Sequence, residues 1–330
     1  MQRRSRFQNR LRSGLSRIEV LVVICVIGLL VAMLVPASRN SRGVVRRMEC
    51  QSNLKQFALA TLNYASSNQG RIPHLEDGHF GWPVVLLPYL DNAALFRRLN
   101  ADPKAIETEW QKSKTPLRMR VFTCPVDVSN EANHLGLSYV ANSGWGRFLA
   151  DSKTNAIREA RPHTANVDWN RDGVVAEDER LLTRATGVFW RSHEDGFQLS
   201  LDDVAEGDGQ TTTMLFAENT NARNWLSRET FDISFVVDLE RITFDPSSNV
   251  RFGLNVKSAN LGPFAIQSKP RVLPGRSPVP SSHHTGILNV AFVDGRAQQV
   301  NVNINQRVYL AQMTWNGGRH GEEPKLQLEP

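Results

Sequence analysis

The clearest chemical motif in this 330-residue sequence is Asp168-Trp-Asn-Arg-Asp-Gly-Val-Val-Ala-Glu-Asp-Glu179. Carboxylate or amide oxygens stand first, third and fifth, glycine sixth and glutamate twelfth, an order suited to wrapping a hard divalent cation. Calcium replaces its hydration shell with roughly six to eight oxygens, and so many meet only on a tight turn of the kind glycine permits. The expected ligands are the side chains of Asp168, Asn170, Asp172 and Glu179 and the carbonyl of Val174, with Ala176 acting through water. The competing reading is a solvated Asp-Asn-Gly turn without an ion. Arg161-Pro162 precedes the loop and only Glu177 to Leu182 suits a following helix, so an isolated calcium loop is expected rather than a paired sensor.

Other constellations are sparser. His74, Asp77 and His79 have no fourth ligand nearby. Ile287 to Val293 alternates as a strand, Asp294-Gly295 is a hairpin turn signal, and Arg296 to Ile304 reads as the returning strand. His284 then lies at the end of that strand opposite Asp294, about 20 Å away at about 3.3 Å per residue, which favours a structural cap over catalysis. Of the three cysteines, Cys25 sits in an apolar run. Cys50 and Cys124 are therefore either a pair in an oxidising compartment or two reduced buried thiols. There is no phosphate-cradling glycine loop, no zinc spacing and no nucleophile elbow, so no catalytic residue and no enzyme activity are expected.

The element that must carry these residues is one helical reading from Gly14 to Ala65, about 75 Å long at 1.5 Å per residue. Val20 to Val35 holds no charge, and its 16 residues approach the roughly 17 to 25 of a membrane span. Arg3, Arg4, Arg6, Arg10, Arg12 and Arg17 precede it, which by the positive-inside rule keeps the N-terminus cytoplasmic and exports the rest. Past Pro36 the pattern turns amphipathic. Cys50, Leu54, Phe57, Ala58, Thr61, Leu62 and Ala65 share one face, while Gln51, Asn53, Lys55 and Asn63 look away. Residues 1–14 contribute five arginines to a net charge of +6, so the rest carries 6 minus 5, or +1, and no nucleic-acid partner is implied.

Ser13-Gly14-Leu15-Ser16-Arg17-Ile18-Glu19 resembles the type IV prepilin leader. The resemblance implies cleavage after Gly14 by a prepilin peptidase, methylation of Leu15, and Glu19 as the fifth mature residue. Glu19 would pair with the free amino terminus of a neighbouring subunit and set the register of assembly. The alternative is a snorkelling acid on a simple signal anchor. Leu15 stands where that leader usually has phenylalanine, and Arg17 where it has an aliphatic residue. Pro36 falls at mature position 22 (36 minus 14), where pilins often carry a kinking proline.

Further motifs resemble the DUF1559 family of prepilin-like exported proteins. They are Arg46-Arg-Met-Glu-Cys-Gln-Ser-Asn-Leu-Lys-Gln56 running to Asn63-Tyr64 and Arg71-Ile-Pro73; Cys124-Pro-Val-Asp127; Asp208-Gly-Gln-Thr-Thr-Thr-Met-Leu-Phe-Ala-Glu218; and His284 followed after nine residues by Asp294-Gly295. That resemblance implies a Cys50–Cys124 disulfide.

The expected fold is α+β and pilin-like: a long N-terminal hydrophobic helix packed on an antiparallel β-sheet domain with large loop insertions. Residues 1–14 are the basic leader, 15–37 the transmembrane half, 38–66 the amphipathic half and 67–330 the exported domain, with the calcium-type loop at 168–179 and a hairpin at 283–304. Asn92 to Asn100 reads as a helix. Arg120 to Asp127, Ser138 to Trp145, Gly187 to Trp190, Met214 to Ala217 and Phe231 to Leu239 read as strands. Ser247 to Pro280 is an excursion over the surface and Gly317 to Pro330 a loose tail. The expected function is a prepilin- or pseudopilin-like structural subunit of a type II secretion or pilus system, spanning the inner membrane once with a periplasmic or extracellular domain, in a homo-oligomeric or mixed filament. The alternative is an uncleaved, signal-anchored, calcium-stabilised binding or surface protein.

Overall fold

The computed structural model describes residues 16–102, 117–131, 135–146, 149–150, 157–158, 167–169, 172–192, 196–238, 243–244, 259–260 and 279–320, leaving aside the side chains of 31–42. The chain forms two compact units, Met1–Val45 and Arg46–Pro330. Gly14 and Leu15, Asn170, most of Ser247 to Pro280 and residues 321–330 lie outside the described residues.

Helix α1, Arg17–Ser67, begins in the first unit. Its start is capped by its own sequence, because the Ser16 N–H donates to Glu19 Oε2 at 3.0 Å and the Ser16 hydroxyl accepts the Ile18 N–H at 3.4 Å. That is the reciprocal serine–glutamate arrangement that satisfies a helix's first orphan donors. The large apolar side chains from Ile18 to Leu30 are exposed. Among the described residues no helix is long and apolar enough to cross a membrane. Residues 31–35, the end of the Val20–Val35 run, have side chains outside that description.

In the second unit the remainder of α1 lies on a five-stranded sheet of order β5-β1-β4-β8-β9. The strands are β1 Tyr139–Gly146, β4 Met214–Glu218, β5 Ser234–Asp238, β8 Ile287–Phe292 and β9 Ala297–Asn301, and two short ribbons pair β2 Leu149–Ala150 with β3 Ile157–Arg158 and β6 Thr243–Phe244 with β7 Ala259–Asn260. The α+β class holds, but the sheet is mixed where an antiparallel one was expected, because β1 and β5 run parallel. Parallel neighbours need a crossover, and the long connection from β1 through β4 to β5 supplies it. Alternation of apolar residues along each strand says nothing about that direction.

The core explains why α1 stays on the sheet. Phe57, fully buried, stacks on Phe122 at 5.4 Å between centroids and touches Trp82, Tyr139 and Phe216 at 5.5, 5.5 and 5.9 Å. Cys50, Leu54, Ala58, Thr61 and Ala65 are buried on the same face, as their spacing predicts. Asn53, expected to face outward, is buried instead and donates to the Tyr139 hydroxyl at 3.2 Å, so its amide is satisfied inside the interface. Gln51 is half-buried and reaches the Ala297 carbonyl at 2.7 Å.

Three local expectations are corrected. Arg120–Phe122 forms a 3₁₀ turn rather than a strand. Its Phe122 carbonyl still accepts the Ser138 N–H at 2.8 Å. Gly187 to Trp190 is not a strand. The N–H groups of Val188 and Phe189 both turn onto the Asn142 carbonyl, where the β1–β5 register breaks between Asn142 and Trp145. A Cβ at Gly187 would strike the Gly144 backbone and lie 2.6 Å from the Ser143 carbonyl carbon, so this crossing requires glycine. Finally, Gly317–His320 is a 3₁₀ turn rather than loose tail, because the Gly317 N–H donates to Asp208 Oδ2 at 2.7 Å.

The hairpin β8–β9 pairs Ile287 with Asn301 through Ala291 with Ala297. Its loop is a type I turn closed by Gly295 in the left-handed region, φ 86°, with Gly295 N–H to Phe292 O at 3.0 Å and Phe292 N–H to Arg296 O at 2.8 Å. Gly295 sits against Leu59 and Leu62 of α1, so the turn itself packs on the helix.

Candidate functional site

The calcium-type loop is folded around its two end carboxylates. Asp168 accepts the N–H groups of Asp172 (3.3 Å) and Gly173 (2.9 Å), and Asp172 accepts that of Val174 (2.8 Å). Gly173 has φ 90°, and open space surrounds its missing Cβ, so glycine is required there for its backbone angle alone. Helix α2, Glu177–Ala185, starts as the loop ends and runs past the expected Leu182. Its buried Glu179 reaches back, Oε2 taking the Ala176 N–H at 3.0 Å and Oε1 the Trp169 N–H at 2.9 Å. Glu179 thus ties the entrance of the loop, next to Asp168, to the start of α2. The Trp169 indole N–H donates to Thr183 at 2.9 Å and pins the loop entrance to the helix. Asp168, Asp172, the Val174 backbone and Glu179 fit a hard cation in chemistry and in order.

A second constellation was not assembled from the sequence. Cys50 of α1 and Cys124 are joined in a disulfide, with Cα atoms 5.3 Å apart. His284 is 5% exposed; its Nε2 lies 3.6 Å from Cys124 Sγ and 3.4 Å from Glu218 Oε1. Glu218, at the end of β4, accepts the Asn289 amide at 2.9 Å on Oε1, and the Ser282 hydroxyl at 2.7 Å and the Asn289 N–H at 3.0 Å on Oε2. Beside it the buried Asp127 accepts the Ser138 hydroxyl at 2.9 Å and the Asn130 amide at 2.8 Å, and its Oδ1 lies 3.4 Å from His283 Nε2. Burial first, and then the Glu218 carboxylate, hold the Tyr139 phenol well above its ordinary range and therefore neutral.

His284 and Asp294 are at opposite ends of β8. The Asp294 end is fastened by Asp294 N–H to the Gln210 carbonyl (3.1 Å), Val293 N–H to the Thr213 carbonyl (3.1 Å) and the Arg296 guanidinium to the Thr211 carbonyl (2.6 Å). The stretch Asp208–Glu218 therefore holds the Asp294-Gly295 turn at one end and His284 at the other. These motifs, scattered through the sequence, are the joints of one sheet and helix.

Residues 39–307 match the family described as SBP_bac_10, protein of unknown function (DUF1559). The chain belongs to the DUF1559 family. No curated protein and no solved structure matches it. In this DUF1559 chain the matched span takes in Cys50, Cys124, Asp127, Glu218 and His284 at one end of β8 and Asp294-Gly295 at the other, and it also contains the calcium-type loop.

Glu218, Asn289, Ser282 and His283 are the site residues that sequence reasoning missed. The signal was present: a lone acid closing an apolar strand, and two adjacent histidines before another. Neither pointed to a partner until β4 and β8 were paired, with Ala217 opposite Val290. The Ser16 to Glu19 spacing was equally legible as a capping box. His74 does not gather ligands. Burial lowers its pKa, and the Asp77 carboxylate is taken up by the His79 and Phe80 N–H groups.

Proposed function

We propose that this DUF1559 chain is a membrane-anchored, prepilin-like structural subunit, processed after Gly14 and displaying a disulfide-bonded domain on the exported side. The observation that carries this reading is the succession along the chain. An arginine-rich segment ending in Gly14 is followed by an exposed apolar run from Ile18, and then by a half of α1 whose buried face is the spine of the core. The Cys50–Cys124 bond supports an oxidising compartment for that domain. The Asp168–Glu179 loop would then meet calcium where the ion is abundant and brace the exposed side of the domain.

One observation favours the second reading, an uncleaved signal-anchored surface protein. Glu19 already caps its own helix through Ser16, so the carboxylate has a role without a neighbouring subunit. The anchoring common to both readings is tested by carbonate extraction and protease accessibility in cells. The chain should stay with the membrane pellet, and its Cys50–Cys124 domain should be cut only when protease reaches the exported side. Release by carbonate, or cleavage only from the cytoplasmic side, contradicts both.

A further inference from the structure

We propose that the reduced form of this chain binds a zinc-type divalent cation through Cys50 Sγ, Cys124 Sγ, His284 Nε2 and Glu218 Oε1, so that the disulfide is the metal-free state of a redox-gated site. The inference does not rest on the anchored-subunit reading.

The four ligand atoms lie within 4.8 Å of one another, and all four side chains are buried. A tetrahedral ion about 2.3 Å from sulfur and about 2.0–2.1 Å from nitrogen or oxygen holds sulfur and nitrogen about 3.5 Å apart, and nitrogen and oxygen about 3.3 Å apart. The Cys124–His284 and His284–Glu218 separations are 3.6 Å and 3.4 Å, so two edges of that tetrahedron already exist. The two sulfurs must part to about 3.8 Å for the same bond lengths, and the remaining three separations, all within 4.8 Å, must settle to about 3.5 Å. The surroundings suit ligands as well: Asn289 and Ser282 hold the Glu218 carboxylate by hydrogen bonds, the outer support that orients metal-binding carboxylates.

The chemistry balances. A dithiol reductant gives two electrons and two protons to the Cys50–Cys124 bond, leaving two protein thiols and an oxidised, disulfide form of the reductant. Binding of the dication then releases the two thiol protons to solvent. With a neutral His284, the cluster carries one negative charge, on Glu218, before reduction. After it, two positive charges on the ion against two thiolates and one carboxylate again leave one negative charge. The buried site changes state without a net change in buried charge, which removes the main penalty for placing an ion there.

The test uses the full chain in detergent with Cys25→Ser, so that the only thiols are the pair. It is reduced anaerobically with a phosphine and titrated with Co²⁺ while circular dichroism follows the fold. One equivalent should produce thiolate-to-cobalt charge-transfer and tetrahedral ligand-field bands that Zn²⁺ displaces, and the oxidised chain should produce none. His284→Ala and the near-isosteric Glu218→Gln should each weaken binding by about 100-fold or more, at least the upper end of what loss of a supporting partner costs a metal site. If reduction unfolds the chain and the metal restores the fold, the proposal stands. It is overturned if the reduced chain shows no thiolate–cobalt bands, or if neither substitution alters them. Binding without those bands belongs to the Asp168–Glu179 carboxylates and also overturns it.

Discussion

At the scale of single residues the fold depends on a few close approaches. Gly187 crosses Gly144 so tightly that a methyl group would enter backbone, which cannot move aside as a side-chain tip can. Gly187→Ala is predicted to cost about 3 kcal/mol, the upper end of overpacking, read as a loss in denaturant midpoint with unchanged slope. Asp232 makes a pH prediction. Burial, outweighing its bond to Ser227 and the pull of Arg223, raises its carboxyl above the usual value, and one of its oxygens has no partner. A raised carboxylate pKa means the fold favours the protonated form. This residue's contribution to stability therefore grows as pH falls through its folded value toward its unfolded one, and is lost as pH rises. Asp232→Asn should raise the melting temperature at neutral pH, with the gain shrinking toward acid. An equal gain at every pH would contradict the assignment. Asn53 shows why residue types misled on one face of α1, since a polar residue on a packed helix is legible only once its partner, the Tyr139 hydroxyl, is in place.

At the scale of elements, periodicity was the better guide. Cys50, Leu54, Phe57, Ala58 and Thr61 lie where spacings of three and four put them, and Asp294-Gly295 turns the hairpin it signals. What the pattern lacked was partner and direction: the parallel β1–β5 pair, the β4–β8 pairing that brings Glu218 to His284, and the collapse of Gly187–Trp190 into a crossing all depend on distant segments. The calcium-type loop belongs to this scale because its candidate ligands are held by a turn and the helix that follows it. Calcium at about 100 times its dissociation constant should stabilise the domain by about 2.7 kcal/mol. Asp172→Ala, which removes the acceptor of the Val174 N–H, should abolish that gain in calorimetry. A calcium response that survives the substitution would return the loop to a plain solvated turn.

For the whole molecule, what was legible is the amphipathic spine from Cys50 to Ala65 and, through the family resemblance, the disulfide that closes the domain on it. The DUF1559 motifs make physical sense at this scale, because those around Cys50, Cys124, Asp208–Glu218 and His284–Gly295 fasten the Arg46–Ser67 part of α1, β4 and the β8–β9 hairpin to one another. Under the proposed reading, the use to which a cell puts that assembly turns on whether a peptidase cuts after Gly14, which the domain's packing does not decide. The measurement that tests the account most directly is intact-mass and N-terminal analysis of the membrane-extracted chain beside a Gly14→Ala variant. The account predicts a mature chain beginning at methylated Leu15, and loss of that product in the variant. A wild-type chain that keeps its arginine-rich leader would contradict processing and leave Glu19 with the capping of its own helix alone.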